Sequence, residues 1–382
     1  MNSHEAMIIG GGPAGAAAAI LLAGAGQPVT VLEREKGPHD KVCGEFISWE
    51  AAHYLSLLGI DLQALGAEPI RQVRLHAGPD RSQTRLPFTA WSLSRRRLDR
   101  ALLECAKRAG ADVHQGVAVR GLEQNGDRWR LTTNGAEFES GTVFLASGKR
   151  DLRQWQRPVK RENQHLIGLK MHLRLNRGQQ QALRNSVEVY LYKWGYAGLE
   201  PVEGNKANLC FLIHRDLYAG CDRNWSQTLQ WLRSTSPYLD QRLGGSTSLW
   251  RRPLAVYATP YGFLQPPEAP PGLFRLGDQT AVIPSFAGDG MAIALHSAFL
   301  ASRAYLSGAD AAQYQQQARQ AFRRPVRRAG FIAGTLAHRQ GRKAAFLLAR
   351  AWPRAMEHAI SETRLSAEQL ETGPACLRPG AV

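Results

Sequence analysis

The chain has 382 residues, of which 44% are hydrophobic, which is enough for one large or two smaller globular domains. No run of 18 apolar residues is present, which excludes a spanning helix, and the five scattered cysteines have neither the spacing of a metal site nor the density of a disulfide framework. The first strand begins within six residues of the start, which argues against a signal peptide, so we expect a cytoplasmic protein without a metal site. A net charge of +16 favours an anionic partner.

A glycine-rich turn near the start is the strongest local signal. An apolar run from Ala6 to Ile9 leads into glycines at the spacing G-x-G-x-x-G, and a helix of small apolar residues follows. Gly10 permits the turn, Gly12 lets a pyrophosphate approach the backbone, and Gly15 lets the helix pack on the strand. The free N–H groups at the helix start attract the phosphates. The pattern therefore predicts a dinucleotide site.

The next elements add two acidic residues and a thiol. Val29 to Leu32 predicts a second strand, and Glu33 at its end can accept hydrogen bonds from a ribose. Cys43 and Glu45 follow in a Cys-Gly-Glu segment, ahead of a helix with Ser48 as its N-cap. Cys43 either faces a ligand or is a small core residue. Glu45 either faces the ligand or, the interpretation we favour, is an exposed charge at the helix start.

A helix is predicted from Ser94 to Ala109, and its first turn is unusually basic. Arg95 and its two neighbours oppose the positive end of the helix dipole, so we expect an anion nearby. Short strands follow, at Ala111 to His114 and Gly116 to Val119, and a hairpin is predicted between Trp129 and Phe144.

From residue 149 the pattern changes to alternating stretches that predict antiparallel strands. These stretches are His165 to Leu175, Val187 to Tyr192 and Ala207 to Ile213. We interpret the tryptophans and tyrosines of this part mainly as core residues. The histidines His53, His165, His172 and His214 have no identifiable partner in the sequence and are interpreted as structural.

The chain then returns to the first domain. Leu273 to Leu276 predicts a strand, Gly277 and Asp278 follow it, and a second glycine-rich turn leads into a helix that ends near Leu306. The start of that helix is a second set of free N–H groups.

These elements divide the chain into three parts. Residues 1–75, 94–148 and 272–310 form the nucleotide-binding domain, residues 76–93 and 149–265 form a substrate domain, and residues 311–382 form a helical C-terminal region. Short strands near residues 73–75 and 84–87 belong to an insertion. The C-terminal region carries ten Lys or Arg and no Asp or Glu between Ala311 and Met356, interleaved with apolar residues. This favours a solvated helix pair that covers the sheet, with contact to the inner face of a membrane as the alternative, and argues against nucleic acid.

Three motifs occur in the chain: the first glycine-rich turn, the Arg-x-x-Leu-Asp start of the helix at Arg95, and the Gly-Asp pair at residues 277–278. In their order, they resemble the motifs of the flavoprotein superfamily of p-hydroxybenzoate hydroxylases and geranylgeranyl reductases, over roughly residues 5–310. The resemblance implies an α/β fold with a Rossmann-like FAD-binding domain of the glutathione reductase type, an inserted antiparallel-sheet substrate domain and a basic helical C-terminus. It implies FAD as the cofactor, with contacts from Gly10, Gly12, Pro13, Ala14, Gly15, Glu33, Arg34, Arg95, Val119, Asp278, Gly288, Gly290 and Met291.

Within that set the resemblance assigns different parts of FAD to different residues. Val119 meets the adenine through its backbone, and Asp278 binds the ribityl chain. Gly288, Gly290 and Met291 present backbone N–H groups to the pyrimidine edge of the flavin ring.

Below the superfamily, one segment bears on the reaction. Lys41 to Glu45 is similar to the Cys-Gly segment of geranylgeranyl reductases. Their Y-x-W-x-F-P stretch corresponds to Tyr196 to Pro201, where Gly198 and Glu200 replace the two large apolar residues. The chain also lacks the Trp-x-Trp-x-Ile-Pro stretch of flavin halogenases, which argues against halogenation.

We therefore expect an FAD-dependent monooxygenase that hydroxylates or oxidises a hydrophobic aromatic or polyketide-like small molecule. Reduction of prenyl double bonds is the first alternative, and a non-catalytic flavin-binding protein that docks on a membrane is the second. A single dinucleotide fingerprint implies that NAD(P)H binds transiently or that a partner protein donates electrons. Cys43, Glu45 and Tyr196 are the candidates for proton donation or substrate orientation.

Overall fold

The first sheet is mainly parallel and carries the glycine-rich turn. The computed structural model describes residues 3–193, 195–352, 357 and 360–370. The strands of this sheet are β1 (Ser3–Ile9), β2 (Val29–Glu33), β6 (Asp112–Gln115), β7 (Val119–Asn125), β8 (Arg128–Thr133), β9 (Glu137–Leu145) and β17 (Leu273–Arg275). They lie in the order β6-β2-β1-β9-β8-β7, with β17 paired to β9. This is the Rossmann-like sheet expected from the sequence.

The helices that cover the first sheet are built from small residues. Helix α1 (Pro13–Gly24) buries the four alanines Ala16 to Ala19 completely. Helix α8 (Gly290–Leu306) likewise buries Ala292, Ala298 and Ala301. Small side chains let the two helices approach the sheet and each other closely. The remaining helices are α2 (Trp49–Leu57), α3 (Arg95–Arg108), α4 (Arg177–Leu183), α5 (Arg215–Gly220), α6 (Trp225–Ser234), α7 (Pro237–Leu243), α9 (Ala311–Ala337), α10 (Arg339–Ala351) and α11 (Ala367–Leu370).

The second sheet is the predicted antiparallel substrate sheet. Its strands are β3 (Phe46–Ile47), β4 (Glu68–Ala77), β5 (Asp80–Ser92), β10 (Leu166–Arg174), β11 (Ser186–Tyr192), β12 (Gly195–Val202), β13 (Lys206–His214), β14 (Thr247–Ser248) and β15 (Leu254–Tyr257). Their order is β14-β10-β13-β12-β11-β4-β5-β3, with β15 also paired to β10. Two further short strands, β16 (Phe263–Leu264) and β18 (Ala281–Val282), pair with each other.

The two faces of the second sheet differ in polarity. Leu169, Met171, Leu199 and Leu209 belong to one face, which packs with residues of α5, α6 and α7 into a separate core. Because side chains alternate along a strand, the residues between them point to the opposite face. That face is polar and carries Lys170, His172, Tyr196, Gly198, Glu200, Asn208 and Cys210.

The insertion near residue 80 is larger than expected. Instead of short strands near residues 73–75 and 84–87, β4 and β5 form a long hairpin that joins the second sheet through β11. The predicted domain boundary between residues 75 and 76 therefore falls inside β4. Strand β12 contains two glycines and a proline, residues that are disfavoured in strands, and it is missing from the elements predicted from the sequence.

The C-terminal region begins with a helix that belongs to the core. Helix α9 buries Tyr314, Phe322 and Val326, and the Tyr314 hydroxyl donates a 2.6 Å hydrogen bond to the carbonyl oxygen of Arg275. Part of the predicted region, residues 353–356, 358–359 and 371–382, lies outside the described residues. Among the helices described, none combines the length and apolar character required to cross a bilayer.

Candidate functional site

Two glycines of the first turn have no room for a side chain. Gly10 has φ +105°, and a Cβ added there falls 2.5 Å from the carbonyl oxygen of Ala146. A Cβ added at Gly15 falls 1.9 Å from the carbonyl oxygen of Gly10. The sequence therefore needs glycine at both positions to fold the turn.

The start of α1 is open and faces positive charge. Gly12 is the N-cap and Pro13 the first helical residue, and no side chain caps the helix. In front of Gly12, the nearest atoms to an added Cβ are the ends of Arg95 and Lys41, 3.7 and 3.9 Å away. Free N–H groups beside two cations and an open approach fit the pyrophosphate of a dinucleotide.

Glu33 lies at the end of β2 beside this turn. Its buried carboxylate accepts hydrogen bonds from the N–H of Gly11 (2.7 Å) and of Glu35 (3.0 Å). Arg34 is exposed and pairs with Glu35 at 2.6 Å, and Val119 is half-buried at the start of β7. The positions suit a ribose and an adenine, and the contacts themselves stay predictions.

The two later motifs meet the first turn in space. Gly277 has φ +57°, and a Cβ added there would lie 3.2 Å from the Ala14 side chain, so the end of β17 lies against the start of α1. Asp278 follows directly, and Arg157 donates a 2.5 Å hydrogen bond to its carbonyl oxygen. The sequence motifs at residues 10–15 and 277–278 thus adjoin each other.

The second glycine-rich turn leads into α8 as expected. Gly288 has φ +71°, and a Cβ added there would lie 2.8 Å from the Phe46 ring. Helix α8 begins at Gly290, and Met291 is buried in its first turn. The backbone of this segment therefore carries the N–H groups that the resemblance assigns to the flavin ring, and that contact also stays a prediction.

The anion expected beside the first turn of α3 comes from two other segments of the chain. The N–H of Arg95 donates to Glu45 Oε1 at 2.8 Å, and both the N–H and the hydroxyl of Ser94 donate to Glu203, at 2.9 and 2.6 Å. The Arg95 guanidinium pairs with Asp99 at 2.8 and 2.9 Å. Burial opposes ionisation of Asp99, but Arg95 and Lys41 hold its pKa below the ordinary range.

Glu45 is not the exposed helix-start charge that the sequence suggested. It is completely buried with φ +62°, and α2 begins four residues later. Its carboxylate hydrogen-bonds with Lys170 Nζ and with His172 Nε2 (2.7 Å) in addition to the N–H of Arg95. His172, interpreted as structural, is therefore a partner of this group.

The charge state of Glu45 follows from these contacts. Burial tends to raise its pKa, but Lys170 and His172 outweigh burial and lower it. An ionised carboxylate whose oxygens are already paired cannot donate a proton. Glu45 is thus a poor acid candidate and instead ties residues 43–45 to the substrate sheet.

One group of side chains has the composition of a metal site. Asp40, Glu45 and His172 bring ligand atoms within 4.8 Å of one another. Lys170 already supplies a positive charge to Glu45 at this place. A further cation would therefore meet repulsion from the ammonium group.

A second carboxyl group lies in the next strands of the same face. Glu200 pairs in register with Asn208, and Asn208 pairs with His172. The amide nitrogen of Asn208 donates to the carbonyl oxygens of Gly44 (2.8 Å) and Cys43 (3.2 Å) and lies 3.5 Å from Glu200 Oε1. Sequence alternation in β10 and β13 signalled the positions of His172 and Asn208 but not their pairing, and Glu200 lies in β12, which was not predicted.

The two other catalytic candidates line the space between the sheets. The Tyr196 hydroxyl donates to Ser285 Oγ at 2.6 Å, in the segment before α8, and Ser285 in turn donates to the Tyr261 hydroxyl at 3.0 Å. Burial raises the pKa of Tyr196 well above its ordinary value. Cys43 is half-buried, and its sulfur accepts from the Glu45 N–H at 3.3 Å. The polar face of the second sheet therefore contacts residues 43–44 through Asn208 and Ser285 through Tyr196, two segments that adjoin the predicted flavin site.

Comparison with known proteins supports the nucleotide-binding part of this description. Residues 3–141 match the family described as FAD binding domain. A tryptophan 2-halogenase of Chondromyces crocatus is 26% identical over 329 residues, 79% of this chain and 60% of that protein. The chain thus spans about three fifths of the length of this curated relative.

Solved structures show the same fold. Flavin-dependent brominase Bmp2 has a TM-score of 0.77 at 17% identity, covering 96% of this chain and 95% of that one. Halogenase PltM in complex with phloroglucinol and FAD has a TM-score of 0.73 at 15% identity, covering 97% and 85%. The resemblance to hydroxylases and reductases is thus supported at superfamily level, and these relatives are halogenases. Residues 3–141 therefore resemble an FAD binding domain, and the chain shares the fold of flavin-dependent halogenases.

Proposed function

We propose that the chain is an FAD-dependent monooxygenase that acts on a hydrophobic aromatic or polyketide-like small molecule. The observation that carries the proposal is the polar face of the second sheet, which closes over the first domain through Asn208 and Tyr196. These contacts set the substrate sheet against the predicted flavin site, and oxygen chemistry at a flavin needs a site from which water is excluded.

The residues of the chain have defined parts in this proposal. Bound FAD would supply the redox chemistry, while the turn at Gly12 and the starts of α1 and α8 hold its charged groups. Tyr196 and Ser285 close one end of the substrate space, and Gly198 leaves room in its middle. The reductant would be transiently bound NAD(P)H or a protein electron donor.

Halogenation of an aromatic ring is the second candidate, and the relatives favour it. The C. crocatus protein is named for halogenation of tryptophan, and the chain shares the fold of a brominase. Against it stands the sequence, which lacks the Trp-x-Trp-x-Ile-Pro stretch of flavin halogenases. Prenyl reduction has weaker support, because Glu200 is a buried polar group in the space that an isoprenoid chain would occupy.

One turnover experiment separates these functions. The full-length chain is loaded with FAD and incubated with NAD(P)H, or with reduced flavin from a separate reductase, in air with a panel of phenolic compounds and with bromide and chloride. Oxygen uptake and product mass are measured. Gain of one oxygen atom supports the monooxygenase, and replacement of hydrogen by halogen supports the second candidate. Gain of two hydrogens without oxygen uptake, or no product from the whole panel, would contradict the proposal.

A further inference from the structure

Two buried oxygen atoms on the polar face of the second sheet have no hydrogen-bond partner among the described residues. They are Glu200 Oε2 and Asn208 Oδ1, on paired positions of β12 and β13. Both residues are at most 3% exposed. Leaving a polar group buried and unpaired is unfavourable, so a ligand that pairs with both atoms would be bound more tightly.

The orientation of these two groups is fixed by their other contacts. The Asn208 amide nitrogen is held by the carbonyl oxygens of Cys43 and Gly44, which turns Oδ1 away from them as a free acceptor. The same nitrogen lies 3.5 Å from Glu200 Oε1, and Oε2 is the carboxyl oxygen left free to pair with a ligand.

The surroundings of Glu200 favour its protonated form. Burial is the main cause that raises its pKa well above the ordinary value, and the negative charge of Glu45 adds to it. Lys170 would oppose this, but its ammonium group is bound to Glu45. The face thus offers one O–H donor beside one carbonyl acceptor.

The strand next to this pair lacks one side chain. Tyr196, Gly198 and Glu200 share one face of β12, since they alternate along the strand. A Cβ added at Gly198 would contact only the carbonyl oxygen of Cys210, at 3.7 Å. The missing side chain therefore leaves room between the phenol of Tyr196 and the carboxyl group of Glu200.

We propose that Glu200 and Asn208 bind the hydroxyl group of a phenolic substrate. The Glu200 Oε2–H donates to the phenolic oxygen, and Asn208 Oδ1 accepts the phenolic proton. This inference rests on the proposed function and narrows its substrate class to rings with a neutral hydroxyl. A prenyl chain would leave both atoms unpaired.

Binding of two matched probes tests the inference without turnover. Fluorine NMR titration measures the dissociation constants of para-fluorophenol and fluorobenzene for the FAD-loaded full-length chain. We expect the wild type to prefer the phenol by about tenfold or more, which corresponds to about 1.4 kcal/mol. Glu200→Leu should bring the two affinities to within about twofold of each other, since the donor is lost.

Further variants keep the test valid if Glu200→Leu fails to fold. Glu200→Gln is isosteric and retains a weaker N–H donor, so the preference should decrease without vanishing, and Asn208→Leu should decrease it through loss of the acceptor. Glu137→Gln, on an exposed strand end, serves as the control and should keep the full preference. FAD absorbance and thermal unfolding report whether each variant is folded.

The outcomes separate this inference from the proposed function. A wild type without preference for the phenol, or an unchanged preference in Glu200→Gln and Asn208→Leu, overturns the inference. Because the titration needs neither reductant nor oxygen, a preference that depends on Glu200 stands even where the turnover experiment gives no product. If the enzyme turns over but its preference for the phenol does not depend on Glu200, this inference is overturned and the proposed function stands.

Discussion

Glu45 and Glu200 lie in one buried cluster, yet their neighbours give them opposite charge states. Glu45 hydrogen-bonds with Lys170 and His172, and both lower its pKa. Glu200 has Asn208 as a weak hydrogen-bond donor, and burial raises its pKa. Such pairs of acids with separated pKa values are typical of sites that both bind and exchange protons. Replacing Lys170 alone would remove the ammonium group that balances the buried Glu45 carboxylate and leave only His172 and the Arg95 N–H as its partners, which is destabilising.

Two buried histidines predict how stability changes with pH. Burial lowers the pKa of His76 and of His296 to about 4. A histidine in the unfolded chain titrates near pH 6.5, so between about pH 6.5 and 4 the unfolded chain binds protons that the folded chain does not. We expect the free energy of unfolding to decrease in this window by up to about 3 kcal/mol for each histidine.

Urea unfolding at a series of pH values measures this effect. His76→Phe keeps the ring stack on Tyr190, which has a centroid distance of 4.6 Å, but cannot bind a proton. The variant should therefore lose less stability than the wild type as the pH falls. His338→Gln, at an exposed position, is the control and should follow the wild type. Parallel curves for His76→Phe and the wild type would contradict the prediction.

At the scale of elements, the start of α1 decides where a nucleotide binds. Gly10 and Gly15 are required by the fold of the turn, because an added Cβ would collide with backbone atoms. Gly12 differs from them, since its φ of −75° suits any residue and its nearest neighbours are flexible side-chain ends. Neither its backbone nor its neighbours require glycine at this position, which fits a place that a ligand approaches.

Gly12→Ala separates the two roles of these glycines. The variant should unfold at the wild-type temperature but bind FAD at least about tenfold more weakly, because the methyl group lies where the pyrophosphate approaches. Flavin fluorescence quenching measures the affinity. Gly37→Ala is a matched control, since an added Cβ there meets nothing within 4 Å. Equal FAD affinity in the wild type and Gly12→Ala would place the phosphates elsewhere.

At the scale of the whole molecule, positive charge gathers on one side of α9. Four arginines, together with Phe331 and Ile332, border a cavity of about 600 Å³. Phe331, Leu347, Leu348 and Trp352 are exposed large apolar residues on α9, α10 and just after α10. Basic and apolar side chains together fit the alternative expectation of contact with an anionic membrane surface, although Glu362 pairs with Arg324 and Arg328. The four arginines are Arg323, Arg324, Arg327 and Arg328.

Substitution of these arginines tests membrane contact better than truncation does. Removing residues after Ser307 would delete buried parts of α9 such as Tyr314 and Phe322 and would expose the core. Replacing all four arginines by glutamine should weaken co-sedimentation with phosphatidylserine vesicles by at least about tenfold, since each charge near the surface contributes about 1 kcal/mol. The control replaces four exposed arginines elsewhere: Arg108, Arg120, Arg153 and Arg184. Equal loss in both variants would contradict a role for this surface.

The sequence by itself determined the elements whose signal is local. The glycine spacing predicted the first turn and α1, and alternation predicted β10, β11 and β13, because both patterns depend on residues within one element. It predicted neither β12, whose glycines and proline disfavour a strand, nor the length of the hairpin of β4 and β5. Neighbouring strands of the second sheet override these weak propensities.

Only the tertiary structure decided the chemistry of the buried cluster. Lys170 and His172 lie 125 and 127 residues from Glu45 in the chain, so no local pattern could pair them. The same folding of the second sheet over residues 43–45 buries Glu200 beside Asn208. Charge state depends on burial and on partners across this interface, and both arise only when distant strands meet.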